Sequence, residues 1–292
     1  LATGVTTQAP TLLALIKNGY EISALIIAQA ELGKSRNARE LEIGAVAEEH
    51  NIPIVVIDDL AESVEQLSAY GAELGVLIAY GKLIPQSVID VFPKGIVNIH
   101  PSLLPKHRGS IPIESVILAG ETETGVSLMQ LAVEMDAGPI FAQAKVMRQG
   151  NETKQELADK LSQLGSEIIV DTLPKILSGE LSPTPQDESQ VTEDSRISKE
   201  DSLLDFSRPA IELERQVRAY TGWPRSRTKI KDTDIIVTEA SVIDGQGESG
   251  TLFTDDKQLG VYTSEGVLLI NKLIPAGKKE MTSQSFLAGY QI

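Results

Sequence analysis

The chain has 292 residues, 41% of them apolar and 23% charged, with 26 basic against 41 acidic side chains for a net charge of −15. At ~150 residues per domain the length suggests two domains, and the composition excludes wholesale disorder. The charge excludes a generally basic nucleic-acid binder, though not a local basic patch on an acidic body.

The residues Leu1-Ala2-Thr3 read as the tail of a first strand, short enough that the natural start is expected upstream. Leu12, Leu13, Leu15 and Ile16 follow Pro10, a helix with proline in its first turn over 10–18. No basic residue precedes that run, so it does not read as a secretory signal, and no stretch approaches the ~20 apolar residues of a membrane span. Residues 22–28 form a nearly all-apolar run, as in a strand buried on both faces. A helix over 38–50, a strand over 53–57, a helix over 61–70 and a strand over 75–79 follow. A short helix at 85–91 leads to a strand at 95–100. This alternation predicts a doubly wound, mostly parallel α/β sheet.

Farther on, a helix is expected from Gly109 to about Leu118, a strand from Gly125 to Leu131, and a helix over 153–178 that Pro174 should kink or end. The polar stretch 179–200, with Pro183 and Pro185, reads as a linker. A short helix at 209–220 then precedes strand-like runs at 229–237, 240–243, 259–262 and 266–274, punctuated by Asp244-Gly245 and Glu265-Gly266. About five short strands suggest a small barrel or sandwich. The expected organisation is a catalytic domain over 1–182, a linker over 183–202 and a C-terminal domain over 203–292. Within 206–231, seven basic residues face two acidic ones, a net +5. That segment fits either a solvated helix face with an edge strand or a phosphate-contacting patch.

Several chemistries lack their residues. No G-x-G-x-x-G follows the first strands, and Gly33-Lys34-Ser35 lacks the glycine five positions earlier that a phosphate-binding loop needs, since position 28 is Ala28. Three scattered histidines and no cysteine make a standard zinc site unexpected. A soluble, cytoplasmic protein that needs no metal is expected.

The informative stretch is 97–143. Asn98 and His100 stand at i and i+2 at the carboxyl end of an apolar strand, hence on one side of it, where open α/β folds place ligands. Histidine can shuttle a proton near neutral pH, and an asparagine amide can donate to a developing oxyanion. Asp136, followed by Ala137-Gly138-Pro139, can be presented from a tight bend to orient His100. Taken singly, each also fits a structural role: a strand-ending Asn, a satisfied core His, an Asx turn.

Together the motifs resemble the folate-dependent formyltransferases. The resemblance lies in N-x-H-x-S-L-L-P-x-x-R-G from Asn98, G-E-T-x-T-G-V-S from Gly120, M-D-A-G-P-I from Met135, and Tyr80-Gly81 within Ile78 to Pro85. It implies that Asn98, His100 and Asp136 form the catalytic set. It also places Ser102, Leu103, Leu104 and Pro105, with Tyr80 and Gly81 beside them, at the site for 10-formyltetrahydrofolate, the formyl donor. The second half is similar to the C-terminal domain of those family members that formylate methionyl-tRNA, through Phe206 to Ala210, Val217 to Tyr220, Gly222-Trp223-Pro224 and Pro275 to Met281. The resemblance implies a Rossmann-like catalytic domain, then an OB-like barrel that helps hold initiator methionyl-tRNA. Lys34, Arg36, Arg39, Arg215 and Arg218 are its implied tRNA contacts, and a monomer is expected. The chain departs from the family pattern at Thr3 to Thr7, at Glu31 in the basic loop and at Ser110-Ile111. The alternatives are formyl transfer to a sugar-nucleotide or other small amine, hydrolysis of formyltetrahydrofolate, or a tRNA-binding module with a degenerate site.

Overall fold

The computed structural model describes residues 8–28, 38–80, 83–255 and 257–290; side chains 38–41 are outside the description. The described residues form two compact units. The first draws on Leu1–Pro112, Glu123–Met147 and Leu157–Ser195, and the second on Ile113–Thr122, Arg148–Glu156 and Arg196–Ile292.

In the first unit, α1 (Ala9–Lys17) carries Pro10 in its first turn and buries Thr11, Leu12 and Leu15. Strand β1 (Leu25–Ala28) is buried at every position, as its all-apolar sequence requires, and pairs in parallel with β2 (Ile54–Ile57). Helix α2 (Ala38–Glu49) lies between them in sequence. A 3₁₀ turn at Ala61–Ser63 continues into α3 (Val64–Ser68), and α4 (Gln86–Ile89) follows β3 (Gly75–Ile78). The second sheet has the order β3-β4-β5-β6, with β4 at Ile96–His100, β5 at Glu123–Gln130 and β6 at Ile140–Met147. Here β3 and β4 are parallel, whereas β5 and β6 run antiparallel to their neighbours. This is the expected α/β architecture, with β5 alone running against the other three strands of its sheet.

Two elements differ from expectation for identifiable reasons. Helix α5 begins at Pro112, three residues after Gly109, which is held at φ +121 and leaves the helical region. Helix α6 (Lys154–Ser178) continues past Pro174 to its end. Pro174 lies in the last turns, where Thr172, Leu173 and Ile176 are buried, and this packing outweighs one missing backbone donor. The helix starts with a reciprocal cap, the Glu156 carboxylate accepting from the Thr153 amide and the Thr153 hydroxyl from the Glu156 amide. Midway, Gly165 lets α6 approach the sheet: a Cβ there would meet Ile99 at 2.9 Å.

The second unit is an antiparallel sheet in the order β7-β8-β11-β10-β9, with β12 on β11. The strands are β7 (Ser226–Ile230), β8 (Thr233–Ile243), β9 (Leu252–Thr254), β10 (Leu259–Tyr262), β11 (Val267–Pro275) and β12 (Met281–Thr282). Helices α7 (Ala210–Ala219) and α8 (Ser283–Gly289) cover its apolar face with Leu213, Val217 and Phe286. Register shifts between Ile270 and Leu273 bend β11 against β8, and the sheet curls into a half-barrel. The single strand expected over 229–237 is a hairpin, because Lys231 adopts φ +48 and turns the chain there.

Candidate active site

Strand β4 lies inside its sheet, with Asn98 between Leu77 of β3 and Met129 of β5, and His100 opposite Ser127. Both side chains share one face by the period of the strand, and both are buried, Asn98 at 8% exposure and His100 at 4%. Burying two polar groups at a strand end is costly without partners. The partners of His100 come from the two loops that follow.

The first loop, 101–109, is tied down by side chains of β5 and β6. The Ser127 hydroxyl donates to the Ser102 carbonyl (2.7 Å) and accepts from the Leu104 amide (3.0 Å). Gln143 Nε2 donates both to the Ser127 hydroxyl and to the Leu104 carbonyl, each at 2.8 Å. Ser102, fully buried, donates to the Lys106 carbonyl. The polar groups of Ser102 and Leu104 are thus engaged within the protein. The loop offers a ligand the half-buried side chains of Leu103 and Pro105, a shaped apolar edge suited to a flat ring system. Leu103 can lie over β5 because residue 125 is glycine; a Cβ there would meet the Leu103 side chain at 2.6 Å.

At the far end of this loop His107 adopts φ +59, which turns its carbonyl toward His100. The oxygen lies 2.9 Å from His100 Nε2, and a carbonyl can only accept, so Nε2 carries a proton. His100 Nδ1 is then 3.6 Å from Asp136 Oδ1. Asp136 sits in the loop between β5 and β6 at φ +50, a conformation that aspartate tolerates better than most residues. Its Oδ2 accepts from the Gly109 amide at 2.9 Å. One carboxylate oxygen is fixed on the backbone and the other faces the imidazole.

The first-unit part of the polar stretch, 179–195, lies against this loop pair as a strap. Thr184 exchanges two backbone hydrogen bonds with Ile140, each 2.8 Å. The Arg108 amide donates to the Thr192 carbonyl, and the Asp194 amide to the Arg108 carbonyl, both at 2.9 Å. His107 Nδ1 is 3.1 Å from Asp194 Oδ1. Arg108, 5% exposed, donates from Nε and Nη2 to Gln186 Oε1 and closes a two-pronged pair with Glu188, whose shortest contact is 2.7 Å. Arg108 holds the Glu188 carboxyl below its ordinary range. Arg108, Gln186, Glu188 and Asp194 were absent from the sequence-based site. Their bonds are long-range and leave no local pattern.

The remaining expected site residues fall in several places. Tyr80 follows β3 and packs in the apolar cluster with Ile26, Ile57, Leu77 and Ile84. Burial, then the charge of Asp59, raises its phenol pKa. Gly81, Lys34 and Arg36 lie outside the described residues, and Arg39 is described only as backbone of α2. Arg215 and Arg218 stand on α7. The Arg215 guanidinium lies against Gly120, occupying the space a Cβ at residue 120 would need. Arg218, 11% exposed at its side chain, makes a two-pronged pair with Glu214 at 2.6 and 2.8 Å and donates to the Glu152 carbonyl. Reaching a phosphate would require it to release those partners. Arg225 and Lys229 are exposed nearby in sequence, as is Trp223 at 55%. Among the described residues, no group of three His, Asp or Glu side chains is placed to hold a metal ion, and no helix is long and apolar enough to cross a membrane.

The chain matches two family profiles, one described as formyl transferase over residues 4–173 and one as formyl transferase, C-terminal domain, over 196–291. It is 36% identical over 283 residues to the methionyl-tRNA formyltransferase of Chloroflexus aurantiacus, covering 94% of this chain and 91% of that one. The protein of that name from Methylococcus capsulatus is 35% identical over 288 residues, 97% of this chain and 94% of the other. Among solved structures, an N-formyltransferase from Helicobacter canadensis, in complex with folinic acid and dTDP-3-aminofucose, aligns with TM-score 0.67 at 16% identity, over 90% and 95% of the chains. HypX from Aquifex aeolicus in complex with tetrahydrofolic acid aligns with TM-score 0.65 at 20% identity, over 90% of this chain but 46% of HypX. At those identities the two structures speak for the fold alone. Both profiles and the full-length relatives agree, and the chain belongs to the formyl transferase family, among its methionyl-tRNA formyltransferases.

Proposed function

We propose that the chain transfers the formyl group of 10-formyltetrahydrofolate to the α-amine of initiator methionyl-tRNA, with Asn98, His100 and Asp136 as its catalytic residues. The observation that carries this reading is the placement of His100, its Nε2–H on the His107 carbonyl and its Nδ1 facing Asp136, on the same strand face as Asn98.

The amine nitrogen attacks the formyl carbon, a C–N bond forms, and the carbonyl π pair moves onto oxygen. Asn98 supplies an amide donor for that oxyanion. His100, when it takes a second proton at Nδ1, adds a positive charge that the Asp136 carboxylate balances. As the oxyanion collapses, the bond to N10 of the folate breaks and N10 takes a proton, while the amine gives one up. His100 and Asp136 sit where a proton can be held between those steps; the 3.6 Å separation suits a pair that tightens when substrate binds.

Leu103 and Pro105, on a loop held by Ser127 and Gln143, would form the apolar edge of the folate site, with Ser102 and the buried Leu104 fixing the loop; Tyr80 and Gly81 complete the set that the family pattern implies. In this reading the first unit does the chemistry and the second helps hold the tRNA, in the cytoplasm and as a monomer. Lys34, Arg36, Arg39 and the positive segment 206–231 would meet phosphates, with Arg225, Lys229 and Lys231 exposed cations of that segment and Arg215 and Arg218 chiefly shaping α7.

The test is transfer of labelled formyl from 10-formyltetrahydrofolate to charged initiator tRNA by wild type and by Asn98→Ala, with uncharged tRNA as control. Transfer by wild type alone supports donor, acceptor and site together. No transfer with folate binding intact would turn the reading toward a small amine or water as acceptor.

A further inference from the structure

Asp136 is held from two directions, and both lead to the strap. Its carboxylate accepts from the Gly109 amide. The strap's Asp194 carbonyl backs Gly109 so closely that a Cβ there would lie 3.1 Å from it. On the other side, Gln186 Nε2 donates to the carbonyls of both Asp136 and Gly138, each at 2.7 Å. Both its amide hydrogens are therefore placed on the loop that presents Asp136. Its Oε1 accepts two bonds from Arg108, whose guanidinium is itself fixed by Glu188. The chain of contacts runs Glu188, Arg108, Gln186, Asp136. Arg108 is also joined to His107, whose carbonyl binds His100, so both partners of the catalytic imidazole hang from adjacent points.

We infer that Gln186 is a positioning residue, which sets the distance from Asp136 to His100 by holding the left-handed Asp136 loop through its carbonyls. Two features require such a holder. A non-glycine residue at φ +50 persists where its surroundings over-determine it. The loop also approaches β5 too closely at Gly138 for any side chain, because a Cβ there would collide with the Gln130 carbonyl. A loop both strained and tightly fitted moves as a body when a restraint is removed. A shift of about 1 Å in a catalytic group can lower turnover by as much as about 10²-fold.

This inference rests on the proposed function only for its kinetic arm. Gln186→Glu is the decisive variant. It keeps the size of the side chain and an acceptor for Arg108 but has no amide hydrogens for Asp136 and Gly138. Gln186→Ala serves as the deletion. Both are expected to lower kcat between about 10- and 100-fold with KM for the formyl donor unchanged, and to displace the kcat–pH profile. Independently of activity, the ring ¹⁵N resonances of His100 should move in both variants while those of His50 do not. Three histidines make the assignment simple. A folded Gln186→Glu with wild-type kcat and unmoved His100 resonances overturns the inference, because it would leave Gln186 as an anchor for Arg108 only. If Gln186→Ala melts early, Gln186→Glu decides alone. If wild type transfers no formyl, the proposed function fails and the His100 resonances still decide the positioning role.

Discussion

Arg218 reaches across 66 positions of sequence to donate from Nη1 to the carbonyl oxygen of Glu152 at 2.9 Å. Its remaining donors close on Glu214. A positive residue in a basic segment thus works as an internal clamp of the second unit. Arg218→Ala should lower stability by about 1.5–3 kcal/mol, the cost of hydrogen bonds from a charged, largely buried group. The urea midpoint checks this; an unchanged midpoint would mean the clamp carries no weight.

Glu152 bears on the same clamp. Burial pushes its carboxyl up, but the amides of Gln149 and Gly150 and the charge of Arg148 outweigh this, so its pKa is lowered. A carboxyl held low in the folded state stabilises it above the ordinary carboxyl range, and that part is lost as pH falls through the folded value. Thermal melts should therefore drop as the medium is acidified below about pH 4. Glu152→Gln should be less stable at neutral pH and show a shallower acid drop.

The catalytic assignments make a kinetic prediction. His100→Ala and Asp136→Ala should each lower kcat on the order of 10²-fold or more, and Asn98→Ala by about 10²–10³-fold, as expected for lost acid–base and oxyanion groups. Binding of folate to the folded variants should persist. Near wild-type turnover in His100→Ala would sink the assignment.

Phosphate contacts displace counterions, so tRNA affinity should fall steeply with salt. Arg225→Glu and Lys229→Glu should each reduce the slope of log affinity against log salt by about 1, with folate binding unchanged. Equal loss of both ligands would point to damaged folding instead.

Gly138 leaves no space for a methyl group, since a Cβ would run into the Gln130 carbonyl. Gly138→Ala should destabilise the first unit by about 1–3 kcal/mol, typical of overpacking, and reduce kcat in the fraction that folds. Circular dichroism melts and turnover on the same preparation check both effects.

The geometry at the centre of the candidate site was legible in the sequence. A short apolar strand with Asn98 and His100 two apart has only one geometry, and Asp136 stood beside the turn residues that present it. Strand β6 was not foreseen, because Ile140–Met147 interleaves alanines with Gln143 and Lys145 and leaves much of the strand partly exposed, which weakens the alternation signal. The hairpin at Lys231-Asp232 was missed because its turn has no glycine. Helix α5 was expected to open at Gly109, but that glycine serves as the amide donor to Asp136. Polar residues that bind specific distant partners look like a linker to any local reading, and the strap is built from them.

The strap also decides where this protein can be cut. A fragment ending at residue 182 would keep Asn98, His100 and Asp136, the proposed catalytic side chains, yet lack Gln186, Glu188, Thr192 and Asp194, and with them the restraints on Asp136 and His107. A severed or transplanted first unit should keep its chemistry only if the junction lies beyond Ser195, where that unit ends. Proteolytic nicking between Thr184 and Asp194 would act as an inactivating lesion while sparing the apolar clusters of both units, none of which includes a residue of that segment.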